Sequence, residues 1–340
     1  MKKYLIFLAA ILICFACDNK PAKEYDVYVA GFEYFSGSRA HYVARLWKNG
    51  VVQELDGELR YSHAKSVFVS GSDVYVAGYE SGTDTIVAKL WKNGVAQYTG
   101  GRLTDGTNFA SVNSVFVSGD DVYVAGYESN GSYYVAKLWK NGVAQDLTDG
   151  TKNASANSVY VAGSDVYVAG DEYYENKRIA KLWKNGKVQD LNNGTDYALA
   201  KSVFVAGSDV YVAGFEFRKE SEAMLWKNGV AHELTSGANV QANSVFVSGA
   251  DVYVAGYENN GSYNVAKLWK NGKGQNLTDG TKTAEAFSVF VVGDDVFVVG
   301  NENGEDDRLV AKLWKNGTKQ NLTDGTNSTH AYSVFVVPRD

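Results

Sequence analysis

Leu46-Trp47-Lys48-Asn49-Gly50 decides the fold of this chain, because the stretch recurs. Trp-Lys-Asn-Gly is written seven times. Its tryptophans are Trp47, Trp91, Trp139, Trp183, Trp226, Trp269 and Trp314, at gaps of 44, 48, 44, 43, 43 and 45 residues. A repeat of that period predicts a solenoid, a propeller or an array, and one continuous array can absorb all 340 residues.

Working outward from Trp91 gives one unit. Ser66 to Ser70 is a short run of alternating β-branched and aromatic residues, and Gly71-Ser72-Asp73 is a turn. Val74 to Glu80 reads as a second strand and Ile86 to Trp91 as a third. Asn93-Gly94 suits both positive-φ positions of a type I′ hairpin, so the chain reverses into Val95-Ala96-Gln97. Four antiparallel strands of this size, here called a to d, make one propeller blade.

The phase of the repeat predicts closure. The array opens with a b-type strand, Asp26 to Gly31, and ends with an a-type strand, Ser333 to Val337. Joined, the two complete a seventh blade and hide the free sheet edges. An open solenoid gains nothing from complementary ends. The expected fold is therefore an all-β, seven-bladed β-propeller over residues 25–338, closed by the C-terminal strand.

Residues present in every unit are expected to build the wall. The tryptophans should cement neighbouring blades, each indole N–H finding a carbonyl. The strand-b glycines (Gly31, Gly78, Gly126, Gly170, Gly214, Gly256, Gly300) should let a ring or backbone lie close. Seven glutamates end strand b: Glu33, Glu80, Glu128, Glu172, Glu216, Glu258 and Glu302. A strand-c base two residues before the Trp is expected to pair with them rather than leave an acidic metal ring. The fifth blade has Met224 in place of that base, so Arg218 or Lys219 is the expected substitute partner of Glu216.

Recognition is expected on one face only. The a–b and c–d turns are tight and nearly identical, whereas the b–c and d–a connections vary, and loops held on a rigid scaffold are where binding concentrates. Near the channel on that variable face, strand a is entered through Ala-x-Ser, or Val-x-Ser once. The constant serines should bond backbone or water. The x residues are Lys65, Asn113, Asn157, Lys201, Asn243, Phe287 and Tyr332, a mixture of cation, amide and aromatic suited to a sugar, peptide or small polar ligand. The plain alternative is a solvated rim.

Other compositional features bound the function. The formal charge of -6 and the lack of a basic run beyond Lys2-Lys3 argue against nucleic acid. Those lysines precede an apolar run, Tyr4 to Ala16, too short to span a bilayer and suited to a signal peptide over residues 1–16. Both cysteines, Cys14 and Cys17, lie in this segment, so no disulfide framework is expected in the body. His41, His63, His232 and His330 lack metal-ligand spacing, and no Ser-His-Asp set, nucleophile elbow or phosphate loop is written. No metal or cofactor is expected.

Two resemblances add to this reading. Ile13-Cys14-Phe15-Ala16-Cys17 resembles a bacterial lipobox, in which a small residue precedes a cysteine that is lipidated after cleavage. It implies an acyl anchor on Cys17 and a polar tether over residues 17–24; the alternative is an ordinary signal peptide with a spare cysteine. The blade pattern Val-Tyr-Val-Ala-Gly, variable loop, Val-Ala-Lys-Leu-Trp, Val-Ala-Gln-x-Leu loosely resembles a kelch-type blade, differing in its single Gly and in a Trp on the third strand. Over residues 26–337 it is more similar to bacterial lipoproteins and exported proteins with Trp-Lys-Asn-Gly propeller repeats, a resemblance that implies the fold and no activity.

The expectation is an exported, lipid-anchored, monomeric scaffold of the bacterial envelope, at the outer membrane or cell surface, that touches membrane only through its anchor. It should bind a protein or glycan without catalysis. The alternative is an extracellular glycosidase or lyase at the same channel mouth. A convergent cluster of carboxylate, Tyr or His would favour the enzyme, and dispersed polar groups the binder.

Overall fold

The computed structural model describes residues 23–37, 40–55, 61–81, 85–175, 177–194 and 197–339. The expected signal peptide and Cys17 lie outside them. The described strands form seven four-stranded antiparallel sheets, each ordered a-b-c-d from the channel outward. The second blade is typical, with strands Ser62–Ser70, Asp73–Ser81, Ile86–Lys92 and Val95–Ala96. The first blade takes strand a from the far end of the chain. Ser328–Pro338 lies along Tyr25–Phe35, with Val27 opposite Val336 and Val29 opposite Val334. The ring is a closed seven-bladed propeller.

Each letter of Trp-Lys-Asn-Gly has one structural task in every blade. The Asn and Gly occupy φ of 50–53° and 76–82°, the paired left-handed positions of the hairpin. The Asn Nδ2 donates to the Asp that opens strand b, at 2.6–3.0 Å, as Asn93 does to Asp73. Its Oδ1 accepts the N–H of the next strand-b residue at 2.8 Å. The Lys reaches the same Asp at 2.7–3.6 Å. All of this fixes the turn face.

The tryptophans are 0–1 % exposed and occupy seven separate clusters, one per blade seam. Trp139 of the third blade packs with Tyr75, Ala77, Ala88 and Leu90 of the second. The indole N–H groups of Trp183, Trp226 and Trp314 have no hydrogen-bond partner, contrary to expectation. The seam buries the ring among apolar side chains, and apolar burial holds it.

Strand-b glycines sit where a backbone crosses. A Cβ on Gly170 would lie 2.0 Å from the Ser155 carbonyl oxygen and 2.9 Å from the Trp183 ring. The glutamates pair inside their own blades: Glu80 with Lys89 at 2.8 Å, Glu172 with Lys181 at 3.2 Å, Glu302 with Lys312 at 3.0 Å and Glu33 with Arg45 at 3.0 Å. In the fifth blade Arg218 takes the missing base's place, 2.7 Å from Glu216.

Candidate functional site

The channel wall is made by strand a, and each strand a carries an irregularity at the same place. Ala64 faces Gly78 and Ser66 faces Ala77, so Lys65 is left out of the ladder. The same one-residue slip leaves out Asn113, Asn157, Lys201, Asn243, Phe287 and Tyr332. A bulged residue is re-aimed away from the regular alternation. All seven candidate residues therefore occupy one layer of the channel.

The serine after each bulge clasps the neighbouring blade. Ser66 Oγ accepts from Val115 N–H at 3.1 Å, and the pattern runs through Ser114, Ser158, Ser202, Ser244 and Ser288 to Ser333, which accepts from Val67 N–H at 3.2 Å. Two residues further in, Phe68, Phe116, Tyr160, Phe204, Phe246, Phe290 and Phe335 form an unbroken aromatic collar, with neighbouring centroids 4.7–4.9 Å apart. The collar is an apolar floor beneath the bulged layer.

The candidates divide into two groups. Asn113, Asn157 and Asn243 donate Nδ2 to the carbonyls of Ala156, Ala200 and Ala286 in the next blade, at 3.0, 2.9 and 2.9 Å. Their amide donors are committed to the wall. The other four form no such clamp. Lys65 Nζ lies 3.9 Å from the centroid of Tyr332 and 5.8 Å from that of Tyr79, Lys201 Nζ lies 5.8 Å from Phe215, and Phe287 meets Tyr332 edge-on at 5.6 Å. Burial and the charge of Lys201 lower the Lys65 pKa to about 8, and burial lowers that of Lys201 too, against the pull of Asp171 and Glu285. Burial also raises the Tyr332 phenol.

Above this layer the mouth has two unlike sides. On one, Tyr79, His63, Phe32 and His330 follow one another with ring centroids 4.8, 4.0 and 4.4 Å apart, the His63–Phe32 pair tilted and the others stacked, and His330 stacks on Tyr332 at 5.7 Å. Asn301 Oδ1 accepts the Ala331 N–H at 2.9 Å, which fixes its amide, so its Nδ2 donates to His330 Nδ1 at 2.8 Å and the ring proton sits on Nε2. The Nδ1 of His63 is buried without a partner. Burial, with the charge of Lys65 next, lowers His63 to about 3 and His330 to about 4.

On the other side a cleft of about 300 Å³ is lined by Tyr127, Tyr134, Asp171, Tyr173, Arg178 and Lys201. Tyr134, Tyr173 and Arg178 lie at strand ends beside two variable b–c connections. Asp171 is only 1 % exposed; its Oδ1 accepts from Asn157 at 3.1 Å, and Arg178 Nε stands 3.4 Å from its Oδ2. Burial raises its pKa against the Arg178 charge. Burial likewise raises Glu285, which accepts from Asn264 at 2.7 Å. Larger grooves, up to about 550 Å³, lie at outer blade seams and are lined by repeat residues such as Asn93 and Gly94. Among the described residues no three His, Cys, Asp or Glu are grouped to hold a metal.

His63, His330, Asp171, Glu285 and Arg178 are site residues that the Ala-x-Ser reading missed. The available signal was variation within the repeat. The position two before x reads His63, Ser111, Ser155, Leu199, Gln241, Glu285 and His330, and the one after the strand-b glycine reads Phe32, Tyr79, Tyr127, Asp171, Phe215, Tyr257 and Asn301. These positions face each other across strands a and b, as His63 does Tyr79.

The neutral histidines predict acid lability. Unfolded His takes up a proton near pH 6.5, whereas these rings resist until about 3 and 4. The unfolded state therefore binds more protons below pH 6.5, and stability present above that pH is lost as pH falls toward 4. From pH 6.5 to 5 each ring should cost about 1 kcal/mol, discounted for the solvent these half-buried groups retain. Urea melts of His63→Gln and His330→Gln should show a shallower decline over that window than wild type; parallel slopes would refute the assignment.

The sequence matches no protein-family profile and no curated protein. Solved structures are similar in fold: the β-propeller domain of the Trilobed protease from Pyrococcus furiosus superposes with a TM-score of 0.54 at 10 % identity, over 88 % of this chain and 95 % of that one. That domain is described as having an open velcro topology, whereas here the last strand is paired into the first blade.

Proposed function

We propose that this protein is an exported, lipid-anchored scaffold that binds a glycan, without catalysis, at the channel mouth of its variable face. The observation that carries the reading is the pairing of an aromatic and imidazole wall with a facing group of carboxylate, guanidinium and ammonium side chains, above an apolar collar. Ring faces and edges suit the C–H faces of a pyranose, and the polar side suits its hydroxyls. The repeat residues of the opposite face are committed to one another and offer no comparable diversity.

Carboxylate, Tyr and His do converge at the mouth, and this supports glycoside cleavage as a second reading, with Asp171 and Glu285 as its acids. Against it, Asp171 is held by Asn157, Glu285 by Asn264, and both imidazoles are packed against rings. Glycan and peptide arrays probed with wild type and with a Lys65, Lys201, Phe287 and Tyr332 alanine variant test the binder. Saccharide binding by wild type and at least a tenfold loss in the variant are expected; equal binding by both would discard the site. Release of reducing ends by wild type, abolished in Asp171→Asn or Glu285→Gln, would move the assignment to the enzyme.

A further inference from the structure

The repeated cations of the blades have carboxylate partners: the strand-c bases meet the strand-b glutamates, and the Trp-Lys-Asn-Gly lysines meet the aspartates. Lys65 and Lys201 depart from this rule. Among the described residues neither has a carboxylate oxygen within ion-pair distance, although both sit inside the channel rather than on the outer surface, where a lone lysine is ordinary. Lys65 is held instead over the ring of Tyr332, and Lys201 near that of Phe215. Withdrawing an ammonium group from water without a counter-charge is unfavourable. A ligand anion would supply that counter-charge.

The nearby acids are otherwise engaged. Asp171 accepts from Asn157 with Arg178 alongside, and Glu285 accepts from Asn264. Lys65, Lys201 and Arg178 against Asp171 and Glu285 leave a single positive charge in excess at the mouth. That balance matches one monoanionic group and disfavours a dianion, which the two acids would repel. The other ionisable groups at the mouth are the imidazoles, which are neutral, and phenols, among them Tyr79, Tyr127 and Tyr332, which burial keeps protonated, beside Tyr134 and Tyr173 of the cleft.

We infer that the channel mouth takes a saccharide bearing a carboxylate, a uronate residue, whose carboxylate descends to the Lys65 and Lys201 ammonium groups while its ring rests against the aromatic wall. This rests on the glycan-binding reading above and names its ligand class. Lys65 and Lys201 lie three blades apart around the ring and near enough for the charge of one to act on the other, so a carboxylate entering along the axis would lie between them. The collar below stops the ligand, since six of its seven rings are phenylalanines and only Tyr160 carries a polar group.

The test uses the purified full chain and paired probes: oligomers of galacturonate, mannuronate, guluronate and glucuronate, each beside its carboxyl-reduced neutral counterpart, with a glutamate-rich peptide as comparison. At least one acidic oligomer should bind tenfold or more tighter than its reduced twin. Lys65→Met and Lys201→Met, checked for wild-type melting, should each remove most of that difference. The paired probes need no variant, so a misfolded substitution leaves the test intact. Equal affinity for acidic and reduced twins would overturn the uronate inference and leave the glycan reading standing. Binding of the peptide alone, or of no saccharide at all, would overturn both.

Discussion

A chain ending at residue 327 should not fold into the ring. The deleted strand, Ser328–Pro338, supplies the whole of strand a to the first blade and pairs with strand b from Tyr25 to Tyr34. Its loss breaks two of the seven serine clasps, Ser288 to Val334 and Ser333 to Val67, and removes Phe335 from the collar between Phe68 and Phe290. It also strips Val334 and Val336 from the seam holding Trp47, and Arg339 from Asp26 and Glu24. Two large apolar side chains in one seam are worth about 3–6 kcal/mol by burial alone. With the ladder and clasps added, the loss is comparable to the whole stability of a typical domain. Near-ultraviolet circular dichroism should show no cooperative melt, and a peptide covering residues 325–340 added in trans should restore one. A truncated chain melting cooperatively within a few degrees of wild type would refute closure as the source of stability.

The second large effect is expected at a single side chain. Trp139→Ala should destabilise the protein by about 3–5 kcal/mol, the range for truncating a large core aromatic. Trp139 is 1 % exposed and joins two blades, so the cavity opens in a seam that backbone movement cannot readily close, because each blade is also held by its other neighbour. Trp183→Ala should cost a similar amount even though its indole N–H has no partner, since no hydrogen bond is lost there. A chemical-denaturation midpoint unchanged in Trp139→Ala would show that the seam tolerates its loss and that the repeated Trp is not the cement.

Much of the wall was legible because its determinants are local or periodic. Asn-Gly states its own turn through positive φ, and the complementary ends of the array imply a closing strand. Arg218 was legible as the substitute for the absent base at Met224. The glutamate partners were legible as a class but not as a geometry. Glu80 faces Val87 in the ladder and reaches Lys89 diagonally, a relation that depends on strand register. The bulge was invisible, since Ala-x-Ser carries no residue demanding it. Without it, Lys65 and its six counterparts were a sequence column rather than a layer of the channel.

By itself the sequence determined the repeat, the hairpins, the blade count and the closure, because each follows from spacing along the chain or from the conformational preference of one dipeptide. Only the tertiary structure decided which repeat positions become a site. Lys65 meets Tyr332 across 267 positions of chain, and Asp171, Lys201 and Glu285 come from three different blades. Contacts around a channel depend on the ring's curvature and on where each bulge aims its side chain. The same physics separates Asn113, Asn157 and Asn243, drawn into the wall by a carbonyl of the next blade, from the two lysines that no carboxylate of the described residues reaches.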